Sequence, residues 1–154
     1  MSAIRSARPP EHFHVVETWV LDTVEELATL RTSLHEALTG TALPPGGSLA
    51  ATPEKAVLVA SELATNALLH ARPPTVVQLL TDGDEFIIDV KDHEASAAPV
   101  VAEPREPGAG GFGLAVAQRI SLDVGWYIEG DAKHVWARFR ETEPAAWGSL
   151  EPTG

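Results

Sequence analysis

The segment SELATNALLHAR, Ser61 to Arg72, sets Glu62, Asn66 and His70 four residues apart among apolar neighbours. That spacing is close to one helical turn, so in a helix the three side chains form a single stripe. A carboxylate on such a stripe can take the proton of a hydroxyl or water that attacks a phosphoryl group, which makes Glu62 the candidate base. The carbonyl oxygen of Asn66 is a hard ligand suited to Mg²⁺, a cation that takes one or two protein ligands and completes its shell with water and phosphate oxygens. Two other pieces fit the same chemistry. Gly110-Gly111-Phe112-Gly113-Leu114 opens a second helical pattern, where close backbone approach and unpaired N–H groups favour a polyphosphate. Asp92 ends the run FIIDVKD and, when ionised, only accepts hydrogen bonds, as from an exocyclic amino group such as that of adenine. Each piece alone has a plainer reading: a solvated glutamate, a locally bonded asparagine, a glycine loop, a strand-end aspartate, a histidine at a helix C-terminus. Their order along the chain carries the argument.

The elements that must position these residues alternate. HVVETWVL, His14 to Leu21, has strand length and strand composition, and Asp22 and Thr23 stand where a helix cap belongs. Val24, Leu27, Leu30, Leu34 and Leu38 then recur at helical spacing until GTALPPGG interrupts them. A second helix is expected from about Ala51 to Ala71, stopped by Pro73 and Pro74, and it is apolar around most of its circumference, so it should lie buried. TVVQLLT and EFIIDVKD flank Asp82-Gly83-Asp84 as a hairpin, and DVGWYIE and HVWARFR flank Gly130-Asp131-Ala132-Lys133 as another. In the last strand Val135, Ala137 and Phe139 take one face, while Trp136, Arg138 and Arg140 take the other, where Trp136 marks either a dimer or partner surface or a single aromatic lying under loops. Between the hairpins, HEASAAPVVAEPREPGAGG has no periodicity and is read as a lid over about 93–110. The resulting plan is a flexible N-terminal arm at 1–13, one domain at 14–141 and a loosely held tail at 142–154.

Composition narrows the setting. The chain has 154 residues, enough for one domain with a sizeable core. Its 22 acidic and 11 basic side chains give a formal charge of -11, which opposes direct nucleic acid binding and association with anionic lipid. The absence of cysteine excludes disulfides, thiolate zinc sites and thiol nucleophiles. No stretch has the apolar length of a signal or a membrane span, so the expectation is a cytoplasmic protein.

The order of motifs is E-L-x-T-N-A-x-x-H-A on a helix, a hairpin ending in V-x-D, a lid, a Gly-x-Gly-Leu helix, and a hairpin containing K-x-V-W-A. This resembles the GHKL superfamily of histidine-kinase-type ATPases, and within it the anti-sigma-factor serine/threonine kinase branch. The resemblance spans roughly Val15 to Arg140; SELATNALLHA is similar to the family's N-box and GGFGLAVAQRIS to its second glycine box. It implies a Bergerat-type two-layer α/β sandwich, with helices on one face of a mixed, mainly antiparallel sheet and Mg-ATP held between helices and lid. It further implies Glu62 as base, Asn66 as Mg²⁺ ligand, Asp92 as adenine reader, and His70, Gly110, Gly111, Gly113 and Leu114 as nucleotide-binding positions. The branch transfers the γ-phosphoryl group to a serine or threonine of an anti-anti-sigma antagonist, sequesters a sigma factor by partner switching, and forms homodimers. Two positions depart from its pattern. Glu94 stands where the first glycine box has a small residue, and Arg105 is the nearest arginine to the second glycine box, where the branch can carry one for the γ-phosphate. A catalytically weak or inactive relative that acts as a protein-interaction module is the alternative expectation.

Overall fold

The structure, a computed structural model, describes residues 2–3, 5–40, 52–71, 73–94, 100–101 and 112–140. The strands are β1 (Ser2–Ala3), β2 (Arg5–Ser6), β3 (His14–Leu21), β4 (Thr75–Thr81), β5 (Glu85–Asp92), β6 (Val100–Val101), β7 (Asp123–Glu129) and β8 (Ala132–Arg140). The helices are α1 (Leu27–Thr39), α2 (Thr52–His70) and α3 (Phe112–Ile120), with one 3-10 turn at Val24–Glu26 before α1. The sheet runs β2-β7-β8-β5-β4-β3; every pairing is antiparallel except the short parallel contact of β2 with β7. The protein is thus an α/β fold with a mixed, mainly antiparallel sheet and its helices packed on one face. Among the described residues no helix is long and apolar enough to cross a membrane.

Local chemistry explains the entry into the helical layer. The Glu26 carboxylate turns back to accept the N–H groups of Asp22 and Thr23 at 2.7 and 3.1 Å, the reciprocal half of a capping box. Those two N–H groups hold the Glu26 carboxyl below its usual range. The first turn is consequently a 3-10 turn, where the apolar spacing had suggested a continuous helix from Thr23. Gly40 ends α1 with φ 78°, a left-handed conformation suited to glycine, and its N–H reaches the Glu36 carbonyl.

Helix α2 is the centre of the core. Val57, Val59, Ala60, Leu63, Ala64 and Ala67 are buried against Val77, Leu79, Phe86, Ile88 and Val90 of the sheet. Each fully buried valine or leucine contributes about 1.5–3 kcal/mol. One flank of α2 is tied to α1: His35 Nε2 lies 2.9 Å from Glu54 Oε2, and Arg31 donates to Ser61 Oγ at 3.2 Å.

The opposite face of the sheet carries a second, smaller cluster, and there Trp136 follows the second of its two readings, an aromatic under cover and not an exposed partner surface. Trp136 is 1% exposed, packs with Phe13 and Ile87, and donates its indole N–H to the Ala7 carbonyl at 2.8 Å. The segment before β3 folds over the sheet and covers it, a contact 129 residues away in sequence. Trp136 also lies on its cross-strand partner Gly125, where an added Cβ would stand 2.5 Å from Cζ2. Beside it, His134 Nδ1 meets Asp89 Oδ1 at 2.8 Å and stacks on Tyr127 at 4.4 Å. Burial and the Asp89 charge push the Tyr127 phenol well above its ordinary range.

Candidate nucleotide site

Helix α2 supplies the stripe as its spacing requires. Glu62 and Asn66 are half-buried, and His70 is exposed as the last helical residue. The direction of the stripe follows from its neighbours. Ser61 and Glu54 bond α1 on one flank, whereas Lys55, seven residues before Glu62 and eleven before Asn66, shares a cavity with Arg119, Ile120, Ser121 and Leu122 at the end of α3. Residues separated by seven and eleven positions fall on one helical stripe. Glu62 and Asn66 therefore lie on the flank of α2 that turns toward α3. Because the start of α2 meets the end of α3 and the two helices pack together, α3 runs back along α2, and its first turn, with Gly113 and Leu114, lies toward the second half of α2. Gly110, Gly111 and Arg105 lie outside the described residues, as does most of the lid read over 93–110.

The sheet contributes the deepest polar group. Asp92 closes β5 and is 4% exposed, on the same face as Val90 and Ile88, toward the helices. Its Oδ1 accepts the Glu94 N–H at 2.8 Å, and its Oδ2 lies 3.9 Å from Nζ of Lys133, directly opposite on β8. Burial pushes the Asp92 carboxyl above the usual carboxylate range; the Glu94 N–H and the Lys133 charge pull it down, and the Glu94 charge pushes it up. A distance of 3.9 Å is beyond a hydrogen bond, so Oδ2 keeps acceptor capacity.

Thr75 is a candidate for the same site that the sequence reading did not single out. The last registered β4–β5 pair is Val76 with Lys91, so one step further Thr75 faces Asp92. Thr75 is fully buried and its Oγ1 has no hydrogen-bond partner. A buried hydroxyl without a partner costs about 1–3 kcal/mol. An unpartnered hydroxyl beside a buried carboxylate suits a ligand with both donors and acceptors, such as the edge of a purine. The signal was one register step away: a turn at Asp82-Gly83-Asp84 pairs Thr75 with Lys91, whereas the observed Asp82–Glu85 pairing around Gly83-Asp84 brings Thr75 opposite Asp92.

The residues therefore fit a nucleotide at two points, Asp92 with Thr75 for a base and the α2 stripe for phosphates. Among the described residues no group of three or more His, Asp or Glu is arranged to hold a metal. Asn66 would accordingly hold Mg²⁺ only in company with phosphate oxygens and water, the usual arrangement for that ion.

Residues 20–139 match the family of the histidine kinase-like ATPase domain. The chain belongs to that family. The match runs from Val20 in β3 to Phe139 in β8 and so includes Glu62, Asn66, Asp92 and the start of α3. Membership in this histidine kinase-like ATPase family supports ATP binding and agrees with the two-layer fold. No curated protein sequence matches the chain.

Proposed function

We propose that the protein binds Mg-ATP and phosphorylates a serine or threonine of an anti-anti-sigma antagonist, holding a sigma factor until that antagonist displaces it. The observation that carries the nucleotide half is the pair at the strand ends, the buried carboxylate of Asp92 beside the unpartnered hydroxyl of Thr75. Asp92 accepts the adenine amino group, and Thr75 Oγ1 bonds the adjoining ring edge or a water against it. Asn66 holds Mg²⁺ through its carbonyl oxygen, and the first turn of α3, with Gly113 and Leu114, lies where its N–H groups favour phosphate. Bound Mg-ATP supplies the phosphoryl group. Glu62, one turn from Asn66, takes the proton of the attacking serine or threonine hydroxyl. His70, exposed at the end of the stripe, is assigned to the outer edge of the phosphate region, and Arg105 to the charge of the transferred group. Homodimer formation and a cytoplasmic location belong to the same proposal.

A second reading has one observation in its favour. Glu94 sits half-buried two residues after Asp92, and its charge opposes ionisation of that carboxyl. A carboxylate there also adds bulk and negative charge near the nucleotide, which favours an interaction module with weak or absent catalysis. One assay separates the two: labelled Mg-ATP is incubated with the protein and its cognate antagonist. Label on a serine or threonine supports the kinase, whereas a stable complex without label leaves the interaction module.

A further inference from the structure

We infer a second anion site at the far end of α2, suited to a small organic molecule that carries a phosphate group. In a chain with twice as many acids as bases, three of the eleven basic side chains, Lys55, Arg119 and Arg140, line one cavity of about 370 Å³. That volume is within the range of small-molecule sites. Among the described residues, Arg8, Lys133 and Arg138 each meet a carboxylate, but no carboxylate lies within ion-pair distance of these three. Three unpaired cations around one space repel one another, and a doubly negative group between them removes that cost. The first turn of α2, which holds one acid, Glu54, adds the positive end of the helix dipole, since Thr52 and Lys55 line the cavity.

The remaining lining argues for more than a bare ion. Ser121, whose hydroxyl donates to the Ala117 carbonyl, closes the end of α3, while Phe139, 2% exposed, and Leu122 supply apolar surface for an organic part. A phosphate monoester, with about −1.5 to −2 charge at neutral pH, matches this set better than a single carboxylate. The site is distinct from the candidate nucleotide site: Lys55 and Asn66 are eleven residues apart on α2, roughly 16 Å along its axis.

The test is an amide NMR titration of the full chain with phenyl phosphate, inorganic phosphate and benzoate at constant ionic strength. Phenyl phosphate is expected to give saturable shifts at the amides of Thr52, Glu54 and Lys55 and at 119–122, inorganic phosphate weaker ones at the same amides, and benzoate none. The exposed pair Arg119→Gln/Arg140→Gln should weaken phenyl phosphate at least about tenfold, as expected on losing one or two charge-assisted hydrogen bonds. Should that pair lower the melting temperature, Lys55→Gln replaces it, with the same expected loss. Shifts absent from those amides, shifts confined to the surroundings of Asn66 and Asp92, unchanged affinity in the variants, or an equal response to benzoate each overturn the inference.

Discussion

Replacing Asp92 with asparagine separates its two roles, because the side chain keeps its size while losing its charge. In the folded chain burial raises the Asp92 pKa, so the folded state holds this proton more tightly than the unfolded state does. Ionisation then costs stability, and that cost grows as pH rises through the raised pKa. The variant removes the cost and keeps an oxygen for the Glu94 N–H at 2.8 Å; it gives up only the long Lys133 contact at 3.9 Å. Its melting temperature at neutral pH should equal or exceed that of the parent chain, with the difference shrinking in acid. Binding should move the other way. A hydrogen bond to a charged group contributes about 1.5–3 kcal/mol, so Mg-ATP affinity should fall roughly 10- to 100-fold. Calorimetric titration, and thermal melts from acid to neutral pH, measure both. Unchanged affinity would refute Asp92 as the adenine reader, and a clear loss of stability at neutral pH would refute the burial argument.

Three other substitutions probe other parts. Asn66→Ala should abolish the Mg²⁺-dependent part of ATP affinity in the same titration, since the ion loses its protein ligand. Glu62→Gln should bind Mg-ATP normally while antagonist phosphorylation falls by about 10² or more, measured as label transferred per minute, because an amide takes no proton. Gly125→Ala should destabilise the chain by about 1–3 kcal/mol in urea melts, since its Cβ would stand 2.5 Å from the Trp136 ring and the packed indole has little room to move.

What was legible in the sequence was what periodicity encodes locally. The apolar spacing of α2, the two hairpins and the face of β8 carrying Val135, Ala137 and Phe139 all follow from neighbours a few residues apart. The same reasoning left Trp136 open between a partner surface and a covered aromatic, because alternation tells which face a residue takes, not what covers that face. Its cover is the arm near Ala7, and no short window of sequence links the two. Thr75 was missed for another reason: nothing in its own neighbourhood is unusual, and its meaning appears only through the register with Asp92. The cation cavity likewise needs three separate elements, since Lys55, Arg119 and Arg140 are distant in the chain.

The carbonyl of Ala7 serves the protein much as a latch serves a shutter. Trimming the residues that lead up to β3 would strip Phe13 from Ile87 and leave the Trp136 indole donor without its acceptor. The wetted strip of Ile87, Leu80 and Trp136 would then be a ready surface for self-association. Shortened versions of this chain should therefore be made with the arm intact, however dispensable its composition makes it look.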